Sequence, residues 1–437
     1  MNSPLFDALS AHIAQNRERL YMPGHKGSLP YPLNSCAPFD VTELELTGCL
    51  YDGEGAPLEV ENRFSKLYQS GSSLLSTGGS TLCIQTMLSL FCPVGSGILM
   101  DRNAHHSAVN ACALLDLHPQ WLLSDEPSGV LTPGRISAEA VESALKVHGF
   151  GISAVYITSP TYFGTLQDIS AISEVCRRYN KPLLVDNAHG AHLKFFKGLH
   201  PIEAGADCCC DSLHKTLPAL TGGALLHLKD GRLKSEARRR MKQFGSTSPS
   251  YLIMLSCDMI IPRWNQLRED FLILAEKLSA IKDAARQKGV LATDESCLND
   301  PARISLLFPE GGRDAASKLL KKLKAEAEYI SPRHIVLLPS VKTDLSVIEN
   351  IISELAPLDE TASLPQFSLP EQLLPPRNAA LSCAETVNVQ ASVGRTAAAP
   401  IAPCPPGAAL VMPGEKIDQR VISELIRYGV TELSVTL

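Results

Sequence analysis

One basic pair, His214 and Lys215, stands in the run GADCCCDSLHKTLPALTGGALLHL (205–228), which is otherwise mostly apolar or small. A lysine is rarely placed in such company unless its charge is paired or removed. In apolar surroundings its pKa falls and the amine becomes a nucleophile. The plainer reading is a strand-end lysine that extends its ammonium to water. Two other groups bear on the choice. Asp186 ends the apolar run PLLVD (182–186). The stretch STGGST (76–81) places glycines and hydroxyls before a helical segment, where backbone N–H groups face an anion. Alone, that signal is weak, because a Gly-rich loop is more often just a turn. Together, a nucleophilic amine, a carboxylate able to keep a pyridine nitrogen protonated, a phosphate cup with Ser80 and Thr81 as donors, and a flat side chain above the ring make a site for pyridoxal 5'-phosphate (PLP). The protonated ring is the electron sink, so Asp186 serves catalysis as well as binding.

Positioning these groups calls for strands that end at one edge. Short apolar runs GILM (97–100), SAVYITS (153–159), PLLVD (182–186), ADCCCDS (206–212) and GALLHL (223–228) alternate with helical patterns over 59–70, 81–92, 105–115, 137–148 and 168–179. That alternation predicts an α/β fold, with a mainly parallel sheet sandwiched by helices. Ligands bind such sheets at the carboxyl ends of the strands, where Ser159, Asp186, Ser212, His214 and Lys215 fall. Residues 1–20 read as a helical arm, 262–289 as a long connecting helix and 290–355 as a smaller α/β region with strands in ARISLLF and HIVLLP. The Pro-rich segment 356–376 reads as a crossing loop. The division expected is an N-terminal arm and loop (1–45), a large cofactor-binding domain (46–262), and a connector helix with a small C-terminal domain (263–437).

Composition is that of a soluble globular protein: 45% hydrophobic, 20% charged, net charge −6 over 437 residues. No basic excess points to nucleic acid. No signal-peptide pattern and no long apolar run are present, so a cytoplasmic protein without a membrane partner is expected. The 13 cysteines form no C-x-x-C pair, and Cys208–Cys210 are consecutive. They read as buried small hydrophobes in a reducing compartment. DNAHGAH could be taken as a metal site through His189, His192 and Asp186. A metal would compete for the carboxylate that the ring needs, so no metal is expected, and His192 reads as a structural hydrogen-bonding residue. The lysines at 318, 321, 322 and 324 read as a solvated helix face.

The motifs also carry a resemblance. MPGHKG (22–27), DVTEL (40–44), STGGST (76–81), DRNAHHS (101–107), TSPTYFG (158–164), VDNAHGAH (185–192), DSLHKTLPALTGGALLH (211–227), STSPSYLIMLSCD (246–258) and PPGAALVMPGE (405–415) run through the chain in one order. In them the chain resembles the Orn/Lys/Arg decarboxylase family of fold-type I PLP enzymes, in its shorter biosynthetic-sized form. The resemblance implies that Lys215 carries the cofactor covalently, Asp186 pairs with the pyridine nitrogen and His105 stacks on the ring. It implies that Gly79, Ser80, Thr81, Ser159, Ala188, Ser212 and His214 line or bind the cofactor, with His189 beside the ring oxygen. Thr247 and Ser248 would reach a neighbouring subunit's cofactor, so a homodimer or higher homo-oligomer with shared active sites is implied.

The chain departs from the family pattern at several points. Asn187 stands where D-E-A-H-G-A-H has Glu, and His106 where a lysine usually follows the stacking histidine. Ala399 and Cys404 replace an acidic and an aromatic residue of the G-R-x-x-A-E-x-x-x-P-Y-P-P-G pattern. The expected reaction is α-decarboxylation of lysine, arginine or ornithine to the corresponding amine and CO2, placing the chain in polyamine biosynthesis. Glu43, Asp52 and Glu54 are candidates for the distal cation, or else surface acids. The competing readings are another PLP reaction on the same scaffold, such as transamination or elimination, and a non-catalytic PLP-binding protein.

Overall fold

Seven strands form the frame of the computed structural model: β1 (Ser72–Ser76), β2 (Gly97–Asp101), β3 (His118–Leu122), β4 (Ile152–Thr158), β5 (Leu183–Asp186), β6 (Cys208–Ser212) and β7 (Ala224–Leu228). The structure describes residues 3–124, 134–293, 298–309, 311–357, 368–402 and 409–437. Chain contacts divide it into two units, 1–91 with 182–268 and 92–181 with 269–437.

In the first unit β5 pairs with β6 in parallel, and β6, β7 and β1 follow as antiparallel neighbours. All residues of β5, β6 and β7 are buried, which explains why these strands read as unbroken apolar runs. Strand β1 is SSLLS; the hydroxyls of its buried Ser73 and Ser76 are engaged, whereas Ser72 Oγ has no hydrogen-bond partner among the described residues. Ser73 Oγ bonds His227 Nδ1 at 2.8 Å, and Ser76 Oγ donates to the Gly79 carbonyl at 3.0 Å. The helix Gly79–Phe91 buries Leu82, Cys83, Ile84, Met87 and Leu88 as it packs on β1, β6 and β7. The helix Pro4–Ala14 lacks a local side-chain cap; instead Asp258 accepts from Leu5 N at 3.0 Å and Phe6 N at 3.1 Å.

In the second unit β2 lies between β3 and β4, all parallel. The helices Ala138–His148 and Ile169–Arg178 start at Ser137 and Asp168, whose side chains accept from Ala140 N and Ala171 N. Beyond the helix Trp264–Gln287 come β8 (Ile304–Leu307), β9 (Tyr329–Ile330) and β10 (His334–Leu337), antiparallel in the order β8-β10-β9. They share a core with Leu319, Leu320, Ile348, Ile351 and Ile352 of two helices. Strands β11 (Ala384–Asn388) and β12 (Glu432–Thr436) pair antiparallel against the helix Gln419–Arg427, which buries Val421, Ile422 and Leu425.

The expected α/β class, with a mainly parallel sheet and a smaller C-terminal region, is what the chain adopts. Among the described residues no helix is long and apolar enough to cross a membrane. The helical arm is shorter than the expected 1–20, ending at Ala14.

Candidate active site

The first unit gathers the candidate residues at the ends of β5 and β6 and at the turn after β1. Asp186 is the last residue of β5 and is 3% exposed. Its Oδ1 accepts from Ala188 N at 3.1 Å and lies 3.6 Å from Cys210 Sγ on the neighbouring strand. Ser212 closes β6, and the short helix Leu213–Thr216 follows at once, so Lys215 sits one turn beyond the strand. Lys215 Nζ lies 2.9 Å from His189 Nε2. His189 is half-buried in the turn after β5. His214 Nδ1 is 3.0 Å from the Gly223 carbonyl, which turns its ring toward the start of β7.

The turn after β1 is built around Gly79, whose φ of +66° favours glycine. A Cβ placed there meets no heavy atom within 4 Å among the described residues, so the turn faces open space. Its shape is held by Gly78 N donating to Ser76 Oγ at 3.1 Å and by Gly79 N donating to the Gly222 carbonyl at 2.9 Å. Ser80 is half-buried and Thr81 exposed in the first turn of the helix that follows.

Two buried hydroxyls in the same strand-end segment, Ser212 Oγ and Thr216 Oγ1, have no hydrogen-bond partner among the described residues. Buried hydroxyls without partners are costly, and each implies a missing acceptor or donor. An open glycine turn at a helix N-terminus and orphan hydroxyls beside a lysine and a buried carboxylate fit PLP, a phosphorylated pyridine aldehyde. Thr247 and Ser248 are exposed in the loop between the helices Lys234–Phe244 and Tyr251–Asp258.

His105 and Ser159 belong to the second unit. His105 is the N-cap of the helix His106–Leu115; its Nδ1 accepts from Ser107 N at 3.2 Å and lies 2.7 Å from Ser107 Oγ. The His106 ring lies 4.0 Å from that of His105 at an interplanar angle of 35°. The loop before His105 is anchored by Arg102, which is 1% exposed. Its guanidinium binds Glu415 Oε1 at 2.6 Å and Oε2 at 2.8 Å, and the Leu410 carbonyl at 3.0 Å. Ser159 Oγ accepts from Gln167 N at 3.1 Å.

A family model described as Orn/Lys/Arg decarboxylase, major domain, matches residues 3–299, and one for the C-terminal domain of the same family matches 365–429. The chain belongs to the Orn/Lys/Arg decarboxylase family. It is 28% identical to the uncharacterized protein YaaO of Bacillus subtilis (strain 168), over 98% of this chain and 94% of that protein. It is 27% identical to the arginine decarboxylase of Bacillus anthracis, over 95% and 91% of the two chains. The solved constitutive lysine decarboxylase of E. coli matches with a TM-score of 0.78 at 19% identity, covering 100% of this chain and 82% of that one. The fold is therefore that of the lysine decarboxylases, as the fold-type I expectation required.

The departures of this family member now have surroundings. Asn187 is fully buried, and its Nδ2 donates to Asp211 Oδ1 at 2.6 Å. Ala399 is half-buried, and Cys404 lies outside the described residues. Of the candidate acids, Asp52 binds Lys242 at 3.0 Å, Glu43 accepts from Thr42 Oγ1 at 2.8 Å, and Glu54 is exposed.

Sequence reasoning missed Asp211 although it stands in the quoted motif DSLHK. It lies fully buried among His200, His227 and Asn187. Strand alternation was the available signal: with Cys210 facing Asp186, Asp211 had to face the other side of the sheet.

Proposed function

We propose that the protein is a PLP-dependent decarboxylase of a basic amino acid, releasing CO2 and the corresponding amine. The contact of 2.9 Å between Lys215 and His189, beside Asp186 at the adjacent strand end, carries the reading. Bound there, the cofactor supplies an electron sink for the pair left when the Cα–carboxylate bond breaks. Lys215 would hold the cofactor covalently. Asp186 holds a proton on the ring nitrogen, and its burial keeps water from competing for that contact. By the family resemblance, His105 would cover the ring face. Gly79, Ser80, Thr81, Ser212 and His214 receive the phosphate, helped by the N-terminus of the helix Gly79–Phe91. By the same resemblance, Ser159 and Ala188 would line the cofactor. After CO2 leaves, Lys215 Nζ returns a proton to Cα, with His189 Nε2 as its hydrogen-bonded partner.

Arginine is the first substrate to test, because a relative aligned over 95% of this chain is named arginine decarboxylase. Glu43 is the first carboxylate to test for the distal cation, since Asp52 is engaged by Lys242. We infer a homodimer in which Thr247 and Ser248 reach the other subunit's cofactor, supported by their exposure on one loop. Residues 46–262 form the cofactor-binding domain in this reading. A cytoplasmic place and a role in polyamine formation accord with the eleven free cysteines among the described residues and with the product class. The test is CO2 release from arginine, lysine and ornithine by the PLP-loaded protein; conversion of the cofactor to its amine form without CO2 would replace decarboxylation by transamination.

A further inference from the structure

Strand β6 presents two faces. Cys210 meets Asp186, while Cys209 and Asp211 face the opposite side of the sheet. There Asp211 is fully buried, and its carboxylate meets three nitrogens. Asn187 Nδ2 reaches Oδ1 at 2.6 Å, and His200 Nε2 and His227 Nε2 reach Oδ2 at 3.1 and 3.3 Å. A carboxylate only accepts, so each imidazole presents Nε2–H and the asparagine presents its NH2. His227 Nδ1 then accepts from Ser73 Oγ at 2.8 Å. Burial alone would push Asp211 up; His200 and His227 outweigh it and hold the carboxyl well below the usual range. The Tyr68 ring lies 4.3 Å from His227 and 5.0 Å from His200, and its hydroxyl donates to the Ala191 carbonyl at 3.1 Å.

His200, Cys209 and Asp211 place their ligand atoms within 4.8 Å of one another. Their short contacts are hydrogen bonds to N–H donors, and burial pushes the Cys209 thiol well up, away from the thiolate that a metal needs. The cluster is a hydrogen-bond network.

That network grips the turn after β5 at both ends. Asn187 is tied through its side chain to Asp211 and through its N–H to the Cys210 carbonyl at 3.0 Å. Ala191 is tied through its carbonyl to Tyr68. Between these anchors lies His189, and directly before them Asp186. We propose that Asp211, acting through Asn187, is a positioning residue for Asp186 and His189 from the far face of the sheet. This rests on the cofactor reading given above. The tie at position 187 is an amide, which carries no proton to lose. A carboxylic acid there would have to share a proton with Asp211. The titratable groups facing Asp211 are His200, His227, Tyr68 and Cys209, with Lys194 acting on His227 at longer range.

The experiment compares the full-length protein with Asn187→Leu and Asn187→Glu. In the cofactor-free state, Asn187→Leu is expected to speed hydrogen exchange of the 187–191 amides by about tenfold relative to the rest of the sheet. After loading with PLP, its visible band is expected to titrate at a displaced pH, with kcat lowered by at least about tenfold and KM little changed. Asn187→Glu is expected to work near the parent rate while its acid holds a proton and to lose activity as pH rises. A folded Asn187→Leu with parental exchange, band titration and kcat would overturn the proposal. If Asn187→Leu does not fold, an Asn187→Glu protein with the parental pH profile overturns it. A parent protein that forms no visible band defeats the cofactor reading instead, while the exchange result still decides whether Asn187 anchors the turn.

Discussion

Lys215 Nζ lies 2.9 Å from His189 Nε2, joining the segment after β6 to the turn after β5. The amine thus meets an imidazole in the turn that follows the buried carboxylate of Asp186. Replacing Lys215 by alanine removes the amine and leaves the rest of the strand ends intact. We expect loss of the visible absorption of the covalently bound cofactor and a fall in decarboxylation of at least about a thousandfold. Spectra of the PLP-loaded variant and a CO2 assay check this.

Ser212 Oγ is buried without a partner among the described residues. If it binds the phosphate, Ser212→Ala weakens PLP binding by about tenfold, the effect of one lost hydrogen bond to a charged group. The cofactor-free protein is not destabilised, because the hydroxyl has nothing to lose there. Titration with PLP and thermal unfolding of the cofactor-free protein measure the two halves separately.

Arg102 and Glu415 are each 1% exposed and joined at 2.6 Å. Arg102→Met leaves Glu415 buried without its cation and should cost about 3 to 5 kcal/mol. The double replacement Arg102→Met with Glu415→Met should recover part of that loss, since no uncompensated charge remains. Denaturant unfolding of both variants decides it.

Asp258 receives the first two N–H groups of the helix Pro4–Leu5–Phe6 onward, and burial raises its pKa from 3.8 to about 6. The folded protein therefore holds this proton more tightly than the unfolded chain. Stability from this group is present below the unfolded pKa of 3.8 and is lost as pH rises toward about 6. Its slope is at most about 1.4 kcal/mol per pH unit. In Asp258→Asn that part of the pH dependence should vanish, as unfolding measured between pH 4 and pH 7 will show.

Much of the site was legible because its residues close apolar runs. Asp186 and Ser212 end buried strands and Lys215 follows one, and a fully buried strand announces itself by composition. Strand β1 was not legible, because SSLLS lacks an apolar block and the partner that helps Ser73 sit in the core, His227, is distant in sequence. Strand β3, HPQWL, opens with exposed His118 and contains a proline, so it has no strand signature. The network around Asp211 depends on His200 and His227, which motif spacing does not connect. Pairing of β6 with β7 brings His227 beside Asp211, and His200 reaches it from the N-cap of the helix Pro201–Ala204.

The most direct measurement is CO2 release from arginine, lysine and ornithine by the PLP-loaded protein beside its Lys215→Ala variant. We expect a visible cofactor band and sustained CO2 release from one of the three in the parent, and neither in the variant. A parent protein that binds PLP through Lys215 yet releases no CO2 from any of them would contradict it.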